Sequence, residues 1–87
     1  RLQPELPEAW HNLGVAKRLL GDLPAAETAL RRSLTLQPET VETRYNLSLV
    51  LIDQARPTEA LPHLDAWLAE SPNDAGAHAQ RGDALQS

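Results

Sequence analysis

The chain has 87 residues, 41% apolar and 23% charged, with a formal net charge of −4 and no cysteine, methionine or phenylalanine. That length allows one small domain, which buries about two-thirds of its unfolded surface and cannot wall in a large active site. The composition excludes a disulfide framework, a thiolate metal site, a disordered chain and the clustered basic surface that nucleic acid requires.

Leu and Ala supply most of the apolar mass, and both favour helix. Residues 1–6 contain Leu2-Gln3-Pro4-Glu5, which recurs unchanged as Leu36-Gln37-Pro38-Glu39 and reads as the tail of a preceding repeat. Ala9, Trp10, Leu13, Ala16 and Leu20 fall at helical spacing and predict an amphipathic helix over 8–20. Gly21-Asp22 is a stop-and-turn signal. Pro24 suits the first turn of a second helix, where its missing N–H costs nothing. Leu23, Ala26, Leu30, Ser33, Leu34 and Gln37 form that helix's inward stripe, and Pro38 ends it. Glu27 and Arg31 are placed for an i,i+4 ion pair. Two more helices follow over 41–54 and 58–70, joined by Ala55-Arg56-Pro57. Thr58 is the expected N-cap of the latter, and Pro62 sits late in its first turn, where it removes a real donor. A fifth helix is expected over 75–86.

The elements repeat. Pro4, Pro38 and Pro72 are each 34 residues apart. Aligning 7–40 on 41–74 pairs Glu8 with Glu42, Asn12 with Asn46, Leu13 with Leu47, Ala26 with Ala60, Leu30 with Leu64 and Leu34 with Leu68. A third copy begins at Ala75 and matches the first at Ala77, Gly82 and Ala84. Residues 7–40, PEAWHNLGVAKRLLGDLPAAETALRRSLTLQPET, resemble one full tetratricopeptide repeat. The family's Trp, Leu-Gly, Gly-Asp turn, small Ala, bulky apolar residue and closing Pro fall on Trp10, Leu13-Gly14, Gly21-Asp22, Ala26, Leu30 and Pro38. The second copy departs at Arg44 and Ser48, and the third at His78 and Arg81.

The resemblance implies an all-α helical-hairpin solenoid, a right-handed superhelix of about five helices. Its parts would be a repeat tail (1–6), two repeats (7–40 and 41–74) and the first helix of a further repeat or a capping helix (75–87). Gly14, Ser48 and Gly82 would let paired helices approach closely, as would Ala26 and Ala60. Trp67 stands where the first repeat has Ser33. The small residues Ala75, Gly76, Ala77 and Ala79 are expected to make room for its indole, so Trp67→Ala should cost about 3–5 kcal/mol.

The first helices of such an array line a concave groove that commonly receives extended peptides or partner helices. Here the groove would carry Glu8, His11, Asn12, Val15, Arg18 and Leu19, then Glu42, Tyr45, Asn46, Leu49, Ile52 and Asp53, then Gln80 and Asp83. Asn12, Asn46 and Gln80 share one register, and a carboxamide both donates and accepts. A row of them could grip peptide backbone without reading sequence; alternatively, Asn is simply common there in the family. A similar asparagine ladder lines the tetratricopeptide region of the O-linked N-acetylglucosamine transferases. Val15, Leu19, Leu49 and Ile52 make an apolar surface suited to a partner, to a neighbouring repeat or to a second chain.

A carboxylate clamp needs several groove cations, and Arg18 stands against Glu8, Glu42, Asp53 and Asp83. His11, His63 and His78 lack metal-site spacing and read as solvated or edge residues. Ser33, Ser48 and Ser71 lie on no nucleophile elbow, and no phosphate-binding glycine loop occurs. The expectation is a protein-interaction scaffold, not an enzyme, with no cofactor and no nucleic-acid partner. The alternatives are the substrate-recruiting arm of a larger enzyme such as a glycosyltransferase, and self-assembly through open ends near Leu2 and Leu6 and at Ala84 and Leu85. Leu47 to Ile52, the longest apolar run, is far too short to span a bilayer, even ignoring Ser48. No secretory signal is visible. The start at Arg1 suggests a preceding region, the cytoplasm is the favoured compartment, and seven arginines among eight basic residues hint at a GC-rich bacterial source.

Overall fold

A computed structural model describes residues 6–86, which form five helices: α1 (Pro7–Leu19), α2 (Leu23–Leu36), α3 (Val41–Asp53), α4 (Pro57–Glu70) and α5 (Ala75–Gln86). Of the expected repeat tail at residues 1–6, residues 1–5 fall outside the described residues, and Leu6 is the N-cap of α1. Each turn has a local cause. Gly21 ends the first helix at φ 84°, the left-handed conformation that glycine tolerates. Thirty-four residues on, Ala55 takes the same role at φ 61°. Asp22 caps α2 by accepting the Ala25 N–H at 3.4 Å, and Asp74 caps α5 by accepting the Ala77 N–H at 3.1 Å.

The start of α4 corrects one expectation. Pro57 itself opens the helix, so Arg56 takes the cap position and Thr58 lies inside the first turn. Proline's fixed φ is already helical, which outweighs the capping preference of Thr58. Pro62 then falls in the second turn, where its missing N–H leaves the Thr58 carbonyl without its helical partner.

Helices α1 and α2 close one antiparallel hairpin and α3 and α4 a second, with α3 also packed on α2 and α5 on α4. The shared core is Ala26, Leu30, Leu47, Val50, Leu51, Ala60 and Leu64, all fully buried. Leu23, Leu34, Tyr45 and Ile52 pack against its edge. Gln37, expected in the inward stripe, is exposed at the C-cap of α2. The molecule measures 48 × 26 × 17 Å, elongated along the stack.

The close approach at Gly14 is confirmed. A Cβ there would lie 2.5 Å from Leu30 Cγ and 3.2 Å from the Ala26 carbonyl. Ser48 is buried at the same register and turns its hydroxyl to the Tyr45 carbonyl. Gly82 differs, because a Cβ there would meet nothing among the described residues. The α1 stripe is a larger correction. Ala9 and Ala16 are exposed, Leu13 is 43% and Leu20 78% exposed, and Gly14 alone is buried in that helix. The corresponding α3 residues Thr43, Leu47 and Val50 are buried because α3 lies between α2 and α4. Among the described residues α1 has α2 on one side and only a light contact with α3.

Candidate functional site

The odd-numbered helices carry the residues expected to line a groove, and two side-chain rungs tie α1 to α3. At one end His11 Nδ1 lies 2.8 Å from Thr43 Oγ1. At the other, Arg18 Nε donates to Asp53 Oδ2 at 3.1 Å. Arg18, the main cation expected in the groove, is therefore committed to a carboxylate of the same face. Between the rungs, Asn12 is exposed, while Val15, Asn46 and Leu49 are half-buried. Asn46 Nδ2 donates to the Glu42 carbonyl one turn back at 3.0 Å. Asn12 and Gln80 make no side-chain hydrogen bond among the described residues. Glu8 and Glu42 are exposed in the first turns of α1 and α3, where helix dipoles favour negative charge. Leu19 is 77% exposed, Asp83 is exposed, and Gln80 and Ile52 are half-buried.

Tyr45 behaves differently from its neighbours in the expected row. Its ring stacks on Trp67, with centroids 5.0 Å apart and planes at 30°. Trp67 Nε1 donates to Asp74 Oδ2 at 2.9 Å, and the other oxygen of Asp74 caps α5. The Trp67 bond, then the Ala77 N–H, hold the Asp74 carboxyl below its ordinary range. Of the four small residues expected to make room for the indole, Ala77 is fully buried while Ala75, Gly76 and Ala79 are exposed, and Trp67 itself keeps partial exposure. In the first repeat the same three positions hold His11, Ser33 and Thr40, and there a hollow of about 120 Å³ remains. Its wall includes Glu8, His11, Ser33, Gln37 and Glu42. The role of Asp74 was open to sequence reasoning, since an Asp directly before a helix is a cap signal.

A second charged cluster joins the two hairpins at their turns. Glu27 accepts from Arg31 Nε at 2.8 Å, as the i,i+4 spacing predicts, and also from Gln54 Nε2 at 2.9 Å and Arg56 Nη1 at 2.7 Å. Arg56 reaches Glu59 through two further bonds. Burial alone would raise the Glu27 pKa, but the bonds from Gln54, Arg31 and Arg56 outweigh it and lower the value to about 2. The histidines, expected as solvated or edge residues, are each hydrogen-bonded and none is fully buried. His63 Nδ1 accepts from Arg44 Nε at 3.2 Å, and His78 Nε2 donates to the Pro72 carbonyl at 2.6 Å. Burial first, and then the Arg44 charge, push the His63 pKa below its ordinary value. Among the described residues, no group of three or more His, Asp or Glu is placed to hold a metal ion, and no helix is long and apolar enough to cross a membrane.

Antiparallel helical hairpins stacked at a 34-residue period define an α-solenoid, a class whose working surface is its extended face. A family model described as tetratricopeptide repeat matches residues 11–75, and the chain belongs to that family. Repeats of this family generally mediate protein–protein interaction and are generally non-catalytic scaffolds. No curated protein matches the chain.

Proposed function

We propose that the face formed by α1, α3 and α5 binds an extended peptide or a partner helix. The observation that carries this reading is the row of carboxamides. Asn12 and Gln80 stand at equivalent positions with their hydrogen-bonding groups unspent among the described residues. Asn46 between them spends one N–H on its own helix, which leaves its acceptor and second N–H for a ligand. Val15 and Leu49, half-buried beside them, add apolar contact. Backbone-directed hydrogen bonds plus modest apolar area suit a peptide better than a small molecule, which needs a deeper enclosure.

A peptide library displayed on phage and selected on the immobilised chain tests this. The selected peptides should lose about tenfold or more in affinity for Asn46→Ala/Leu49→Ala, and little for Thr35→Ala on the outer face of α2. Equal affinity for all three proteins would reject the groove. A second reading, self-association, rests on Leu13, Leu19 and Leu20, which α1 leaves 43%, 77% and 78% exposed. Light scattering across a concentration series tests it: growth in mass that Leu19→Glu/Leu20→Glu abolishes supports it, and a constant monomer mass rejects it.

A further inference from the structure

The hollow of about 120 Å³ where α1, α2 and α3 meet has a filled counterpart one period later. There the Trp67 ring stacks on Tyr45 with centroids 5.0 Å apart and gives its N–H to Asp74 at 2.9 Å. In the first junction Ser33 stands at the position of Trp67, so a hydroxymethyl group replaces an indole. Its hydroxyl is spent on the Pro7 carbonyl at 2.8 Å. Two residues are larger here than in the second junction, Glu42 for Gly76 and Thr43 for Ala77. They do not make up the loss, because Glu42 is exposed and Thr43 is engaged with His11. The hollow is the space that the missing ring leaves.

The groups that receive the ring in the second junction have counterparts around the hollow. His11 has the register of Tyr45, and its 2.8 Å bond to Thr43 Oγ1 fixes the imidazole as one wall. Thr40 has the register of Asp74 and also lines the hollow. It stands at the N-cap of α3, yet its hydroxyl makes no capping bond and no other side-chain bond among the described residues. A hydroxyl carries two acceptor lone pairs, so Thr40 can accept an indole N–H as Asp74 does. The size agrees. A cavity of about 150 Å³ takes up benzene, whereas a small-molecule site needs roughly 300–1,000 Å³. The hollow therefore suits one planar side chain.

We propose that this hollow seats the indole of a tryptophan carried by a partner peptide, stacked on His11 with its N–H directed at Thr40. The proposal rests on the groove reading above for the path of the peptide backbone, and adds to it an anchor residue and its seat. Burial and stacking of the ring supply affinity. The N–H supplies selectivity, because an aliphatic side chain of similar size would cover the Thr40 hydroxyl without pairing it.

The test is a titration of the isotope-labelled chain, followed by NMR, with three capped pentapeptides. They share flanking serines and differ at the centre, which is tryptophan, 1-methyltryptophan or leucine. The tryptophan peptide should shift the amides of His11, Thr40 and Thr43 and bind about tenfold more tightly than the leucine one. The 1-methyl ring cannot donate and should bind about threefold or more below tryptophan. Thr40→Val should bring the tryptophan peptide down to the 1-methyl one. Thr40→Asp, which copies the second junction, should tighten it, and a general loss of structure does not produce that pair of opposite signs. Ser33→Trp should fill the hollow and abolish the shifts with helix content unchanged. Equal binding of the tryptophan and leucine peptides overturns the proposal, as does no binding at all or a Thr40→Asp variant that binds no tighter. Shifts confined to Val15, Asn46 and Leu49 overturn it while leaving the wider groove reading intact. Shifts at His11 and Thr40 whose affinity Asn46→Ala/Leu49→Ala leaves unchanged support the ring seat and reject the groove reading.

Discussion

Gly14 and Gly82 share a register in the first and third copies, yet their surroundings differ completely. At Gly14 the Leu30 side chain and the Ala26 carbonyl occupy the space of a Cβ. Leu30 is fully buried in the core and has little freedom to withdraw. Gly14→Ala should therefore gain about 1 kcal/mol of helix propensity and lose more to overpacking, a net destabilisation of about 1–2 kcal/mol. Gly82→Ala meets open space and should stabilise by about 0.5–1 kcal/mol from propensity alone. Chemical denaturation of the two variants checks the pair, with opposite shifts of midpoint at unchanged slope as the expected result. The sequence pattern marks both glycines alike. What separates them is the presence of α2 against α1, which no single helix encodes.

At the scale of elements, Pro62 and the Glu27 cluster carry the sharpest consequences. Pro62 is exposed inside α4 and interrupts its hydrogen-bond ladder. Pro62→Ala should raise stability by about 1–3 kcal/mol, read from thermal melts by circular dichroism. The Glu27 cluster joins α2 to the turn before α4, and its pH dependence has a definite sign. Glu27 has a lower pKa folded than unfolded, so its stabilisation is complete above about pH 4.5 and is lost as pH falls towards 2. Glu59 and Asp74, also lowered, act in the same direction. His63, depressed below 6.5, starts the loss earlier, because the unfolded chain takes up its proton first. Acid titration of stability should therefore show a shallow fall below about pH 6.5 and a deeper one below about pH 4.5. His63→Gln should remove the first. Glu27→Gln should flatten the second and cost about 1–3 kcal/mol at neutral pH, the range discounted because Arg31 and Arg56 are partly solvated. Helix identity and the 34-residue period were legible because apolar spacing and Gly-Asp and Pro punctuation act locally. The start of α4 was misread because Pro57 and Thr58 compete for adjacent roles. The partners of Glu27 in the turn between α3 and α4, Gln54 and Arg56, were not legible, because they depend on how two hairpins meet.

Across the whole molecule, the cost of one repeat position depends on its place in the stack. Leu13 and Leu47 are the same residue in the same register, and sequence reasoning assigns both to the core. Leu47 is fully buried between α2 and α4, whereas Leu13 is 43% exposed. The candidate groove shows the same division. Its residues lie on α1, α3 and α5, the helices that the spacing predicts, but the rungs His11–Thr43 and Arg18–Asp53 and the Tyr45–Trp67 stack depend on how those helices and α4 meet. Leu47→Ala should cost about 3–5 kcal/mol, since a buried cavity is left behind. Leu13→Ala should cost less than about 1 kcal/mol, because much of its surface already meets water and alanine is the better helix former. Urea denaturation at low protein concentration measures both. A Leu13→Ala cost that climbs towards the Leu47→Ala value as protein concentration rises would mean that a second copy covers α1, since only association makes stability depend on concentration. A small cost at every concentration would instead leave the α1 face as open surface in the isolated chain.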